Sequence, residues 1–150
     1  MTSHELPLID MSEAECRDLL ATCEVGRIVL SLQAMPVALP VAYRLLGPDI
    51  VFRSAPGSKL TAAATNTVVG FEVDQLDSNT RSGWSVLVIG MSRLITSPDE
   101  IAGFEQTPIP EWLPGPPHYV AIATQRISGR RLAATYDPAG VSTTTNSRPA

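Results

Sequence analysis

Lys59 is the one lysine in a 150-residue chain whose ten other basic residues are all arginine. It stands in Ala55-Pro56-Gly57-Ser58-Lys59-Leu60, after an apolar run that ends at Arg53-Ser54. The Pro-Gly turn breaks that run, and the residues from Ser58 to Thr65 favour a short helix with Ser58 as its cap. A cation in the first turn of a helix meets the positive end of the dipole, which is mildly unfavourable. An anion bound there reverses the sign. Free N–H groups, a serine hydroxyl and an ammonium then converge on one spot, which is what a phosphate needs. Arg53 is a second cation within reach. The alternative is a solvated surface lysine with no ligand. The segment is not a Walker A loop, which needs glycine directly before the lysine and Ser or Thr directly after it.

Other chemistry is sparse. Cys16 and Cys23 are seven apart, about 10 Å along a helix, which is too far for a disulfide. With His4 and His118 distant in sequence, no metal set forms, and the two cysteines read as small core residues. His118 is a proton-donor candidate or an ordinary structural histidine. Arg126, Arg130 and Arg131 either attract an anionic substrate or stand solvated at a strand end. Trp84 reads as a large core or interface residue, and Trp112, between Pro110 and Pro114, as a loop anchor. No nucleophile–base pair and no spaced carboxylate pair is present.

The elements that must hold these residues are mostly strands. Ser12 and Glu15 make a capping box, and Cys16, Leu19, Leu20 and Cys23 form the stripe of the helix that follows. Gly26 suits its left-handed C-terminal cap. Arg27 to Leu32, Pro36 to Leu46 and Asp49 to Ser54 read as a meander, with Gln33-Ala34-Met35 as the first link. Thr67 to Asp74 is a fourth strand, and Gln75 to Ser82 a polar, flexible stretch. Gly83 to Thr96 is a long strand, apolar on both faces, as inside a barrel or at a subunit interface. Ser97 starts another short helix, residues 107–117 hold five prolines, and Tyr119 to Arg131 is the last strand. The expected class is mainly β with short helices, about six antiparallel strands in a closed or nearly closed barrel. The expected division is a flexible arm over 1–11, one domain over 12–136, and a disordered tail over 137–150.

Composition narrows the function. Charged residues make up 17% of the chain, below the usual quarter, which favours a homodimer or a buried ligand. The net charge of -4 and scattered arginines argue against a general nucleic-acid binder. The start of the chain lacks a basic, apolar leader, and apolar runs fall short of a membrane span. A cytoplasmic protein is the expectation.

Taken in order, Arg27-Ile28-Val29-Leu30-Ser31, Pro40-Val41-Ala42-Tyr43, Ile50-Val51-Phe52-Arg53-Ser54, Gly57-Ser58-Lys59-Leu60, Phe71-Glu72-Val73-Asp74 and Gly83-Trp84-Ser85-Val86 resemble the pyridoxamine 5'-phosphate oxidase-like superfamily, over about residues 12–132. The resemblance implies a homodimer of split barrels with FMN in a cleft at the subunit interface. It implies that Arg53, Ser54, Ser58 and Lys59 hold the FMN phosphate, and that the backbone of Val41 to Tyr43 lies beside the ring. It also implies that the strand beginning at Trp84-Ser85 lies at the interface and reaches the cofactor. The chain lacks the arginine-rich C-terminal segment of the true oxidases, so the expected activity is a flavin-dependent oxidoreductase of unknown substrate. Relatives with this fold include binders of deazaflavin and of haem, and a non-catalytic flavin-binding protein is a further alternative. The absence of a nucleophile–base pair matters less where a cofactor carries the chemistry.

Overall fold

The computed structural model describes residues 8–55, 57–106, 109 and 118–132. The tail over 137–150, Trp112 and the start of the arm lie outside the described residues. Among the described residues, eight strands and three short helices follow in the order β1 (Leu8–Asp10), α1 (Glu13–Thr22), β2 (Val25–Leu32), β3 (Met35–Leu46), β4 (Asp49–Ser54), α2 (Lys59–Ala63), β5 (Val68–Asp77), β6 (Ser82–Ile95), α3 (Pro98–Glu105), β7 (His118–Ala123) and β8 (Arg126–Leu132). All pairings are antiparallel.

Strands β2 to β7 close into a six-stranded barrel, because β6 pairs with β5 on one edge and with β7 on the other. The edge facing β7 is shared. Residues 92–95 of β6 pair with β7, and residues 83–89 pair with β8. Gly90 sits at the handover. A Cβ there would run into the backbone oxygen of Ala123, so only glycine admits the close approach.

Alternation sorts the strand residues. Ile28, Phe52, Phe71, Val86, Val88, Val120 and Ile122 point into the barrel and are fully buried. Val51, Ile95, Tyr119 and Ala121 point the other way, into a second cluster that Ile101 and Phe104 of α3 help cover. Cys16 and Leu20 of α1 are buried in the barrel cluster, and burial pushes the Cys16 thiol up, away from the reactive thiolate. Cys23 is half-buried at the helix end, and both cysteines are free.

Several sequence expectations change. Ser12 does cap α1 and bonds Glu15 both ways. Gly26 is not its C-cap, since the helix stops at Thr22. Gly26 lies inside β2, where a Cβ would meet the Phe71 ring at 2.5 Å. The first hairpin turns on Gln33 and Ala34 alone, both at positive φ, and Met35 already belongs to β3. Gln75 to Asp77 continue β5 rather than forming a flexible stretch. The single last strand divides at Thr124, whose hydroxyl donates to the Pro48 carbonyl, and at Gln125, whose side chain accepts from Met91 N. The end of the expected arm takes part in the sheet. Leu8–Asp10 pair with Arg130 to Leu132 as a short edge strand.

Candidate functional site

The chain around Lys59 folds as its residues dictate. Gly57 takes a φ of +71° that carries it out of β4, and Ser58 caps α2, its side chain accepting from Thr61 N at 3.1 Å. The result is a cluster of three hydroxyls. Ser54 Oγ lies 2.6 Å from Thr61 Oγ1 and 3.3 Å from Ser58 Oγ, and Ser58 Oγ lies 2.8 Å from Thr61 Oγ1. Thr61 donates to the Ala55 carbonyl at 2.9 Å. Its two lone pairs can therefore accept from Ser54 and Ser58 at once. The network is closed among itself, with Ser54 and Thr61 buried and Ser58 half-buried. Ser58 is thus the member able to turn its proton outward. Lys59 beside it is exposed, and the first N–H groups of α2 have no intrahelical carbonyl to bond.

His118 joins this end of the barrel. It is the register partner of Ser54 across β4 and β7, so the two side chains share the inner face. Its Nδ1 is buried and has no hydrogen-bond partner among the described residues. Buried polar atoms are rarely left so, and each asks for an explanation. The three hydroxyls, with Lys59 next to Ser58 in the chain and His118 opposite Ser54 in the register, bring together residue types that suit a phosphate or another polar anion.

The remaining candidates lie elsewhere. Arg53 pairs with Tyr119, so alternation directs it to the outer face that α3 covers, opposite Ser54. Tyr43 is fully buried, stands edge-on to Phe71, and donates its hydroxyl proton to the Leu20 carbonyl. Burial pushes its phenol well above the usual range. Val41 is in the same core, so at both positions only backbone is left to face a ligand. Trp84 belongs to the barrel core, while Ser85 faces outward between Asp74 and Arg130. Arg126 and Arg130 share that outward face, and Arg131 points the other way, its guanidinium reaching Glu15 at 4.0 Å and Met11 Sδ at 3.8 Å.

The sequence had not marked Thr61, although a hydroxyl three residues after a capping serine was a usable signal. No local signal pairs His118 with Ser54, since 64 residues separate them. Among the described residues no group of His, Cys, Asp or Glu could hold a metal, and no helix is long and apolar enough to cross a membrane.

The barrel has known counterparts. The pyridoxamine 5'-phosphate oxidase family model matches residues 12–131. The chain belongs to this family. Among members of the same fold, an FAD-binding protein from Mycobacterium smegmatis is 30% identical, over 85% of this chain and all of that one, with a TM-score of 0.67. A putative pyridoxamine 5'-phosphate oxidase from Corynebacterium glutamicum is 28% identical, over 83% of this chain and 98% of that one, with a TM-score of 0.73. An uncharacterized protein of Mycobacterium tuberculosis is 27% identical over 132 residues, 85% of this chain and 87% of its own length. This oxidase-family membership agrees with the order of motifs on either side of Lys59.

Proposed function

We propose that the chain binds a flavin nucleotide, with the phosphate of its FMN portion at Ser58 and Lys59, and serves as a flavin-dependent oxidoreductase. The observation that carries this is the hydroxyl cluster of Ser54, Ser58 and Thr61 beside the chain's single lysine, in a barrel of this family. When bound, the flavin supplies hydride and electron transfer. Ser58 and Lys59 supply the charge-assisted bonds that hold it, and His118 Nδ1 is a further polar contact at the same end. The functional unit is a homodimer with the flavin at the subunit interface, where the backbone of Val41 to Tyr43 and the strand from Trp84-Ser85 come near the ring. Arg53, next to Ser54 in sequence but on the other face of β4, adds positive charge from the far side of the strand end.

The FAD-binding relative at 30% identity favours FAD as a second reading, with the same phosphate corner and a longer tail. Deazaflavin and haem are the remaining cofactor alternatives, and binding without turnover is the alternative role. The visible spectrum of the protein as purified, followed by titration with FMN, FAD, deazaflavin and haem, tests the proposal. A colourless protein that quenches no flavin fluorescence would overturn it.

A further inference from the structure

The hydroxyl cluster has fewer protons than contacts. Thr61 spends its proton on the Ala55 carbonyl at 2.9 Å, so it accepts in both of its hydroxyl contacts. Ser54 and Ser58 are then the donors, one proton each, at 2.6 and 2.8 Å. No proton remains for the 3.3 Å contact between Ser54 and Ser58. Ser58 Oγ already accepts from Thr61 N at 3.1 Å. Ser54 is buried and, among the described residues, no donor is left for its lone pairs.

His118 has the complementary deficit. Its Nδ1 is a buried ring nitrogen without a partner among the described residues, and it stands opposite Ser54 in the register. Partners on one face of a sheet have Cβ atoms about 4.5–5.5 Å apart. Nδ1 is the ring nitrogen closer to the backbone, so a turn of the imidazole about its Cα–Cβ bond brings it to Ser54 Oγ. Hydrogen bonds at functional sites often close only with the ligand in place.

The tautomer of the ring decides how the hydroxyl protons point. With the proton on Nε2, Nδ1 is an acceptor and draws the Ser54 proton to itself. Thr61 then keeps only Ser58 as a donor, and Ser58 is held inward. With the proton on Nδ1, that N–H donates to Ser54 Oγ and the Ser54 proton stays on Thr61. Ser58 is then free to turn outward. Both tautomers are neutral, so the charge of the corner does not change. Ser54 and Thr61 are buried and Ser58 is half-buried, so an anion meets the cluster at Ser58, at the far end of this chain of hydroxyls from His118.

We propose that His118 is a positioning residue of this corner, donating from Nδ1 to Ser54 Oγ so that Ser54 satisfies Thr61 and the Ser58 hydroxyl is released to an anion. The proposal rests on the reading of the corner as a phosphate site and names the residue that sets its donors. Fluorescence titration with FMN and with riboflavin, which lacks the phosphate, tests it. The amide nitrogen of asparagine takes the place of Nδ1, and that of glutamine the place of Nε2. His118→Gln is expected to weaken FMN binding about tenfold more than riboflavin binding, the loss of one hydrogen bond to a charged group. His118→Asn is expected to stay close to the parent. On a Ser58→Ala background, His118→Gln should cost nothing further, because the hydroxyl it acts through is gone. Additive losses, or His118→Asn as weak as His118→Gln, overturn the proposal.

Nitrogen NMR of the imidazole reads the tautomer without any flavin, and His4→Gln leaves His118 as the sole histidine. In Ser58→Ala, where Thr61 has only Ser54 as a donor, the proton is expected on Nδ1, and Ser54→Ala is expected to lose that preference. A ring protonated on Nε2 in Ser58→Ala overturns the relay whether or not flavin binds. A proton on Nδ1 in a chain that binds FMN and riboflavin alike overturns the flavin-phosphate reading and leaves the relay standing.

Discussion

Ser54 and Thr61, seven residues apart, share a buried hydroxyl–hydroxyl hydrogen bond of 2.6 Å that fastens α2 to the end of β4. Thr61 also anchors the Ala55 carbonyl and, through its N–H, the Ser58 side chain. The corner that presents Lys59 is therefore held by side chains, not by the five-residue helix alone.

Thr61→Val keeps the shape and removes the hydroxyl. It should cost about 1–3 kcal/mol of stability, because the Ala55 carbonyl and the Ser54 hydroxyl lose a buried partner. Urea unfolding monitored by circular dichroism measures this. Flavin affinity should fall in the same variant, and an unaltered affinity would show that the corner does not position the ligand.

Lys59→Ala removes an exposed cation. Unfolding should be unchanged, while flavin binding weakens by about 1.5–3 kcal/mol, the worth of a hydrogen bond to a charged group. The loss should shrink as salt rises, since an exposed charge pair is screened. Fluorescence quenching titrations at two ionic strengths read both effects, and equal affinity of variant and parent would remove the phosphate role.

Tyr43→Phe separates core from site. The side chain is fully buried and its hydroxyl serves the Leu20 carbonyl, so the change should lower stability by about 1–2 kcal/mol. The flavin spectrum and affinity should stay as in the parent. A shifted flavin absorption maximum would mean that Tyr43 touches the ring after all.

Glu72 gives stability a pH dependence of unusual sign. Its carboxyl is pushed up from 4.5 to about 7, mainly by burial and next by Asp74, with Arg27 opposing. The folded chain thus binds this proton more tightly than the unfolded chain. Below pH 4.5 both are protonated and no penalty exists. Between about 4.5 and 7 the unfolded chain ionises first, so stability falls as pH rises, and above about 7 the penalty is complete. Glu72→Gln should flatten that segment of a Tm–pH curve. A slope identical to the parent's would show that Arg27 holds the carboxylate ionised.

Local information carried much of this protein. The cap at Ser12, the cap at Ser58 and the limits of β4 follow from neighbouring residue types, because capping and alternation act over three or four residues. So does the singularity of Lys59, and the order of motifs identified the family. Long-range pairing decided the rest. Gly26 looked like a helix cap until Phe71 was seen to need its missing side chain. The last strand looked continuous because nothing in residues 119–131 records that β6 must be shared between two partners. Arg53 and Ser54 are adjacent in sequence, yet the pleat sends them to opposite faces. His118 became part of the corner only when β7 closed the barrel beside β4. That pairing sets His118 Nδ1 against Ser54 Oγ, and a pattern that arises from pairing cannot be seen along one chain.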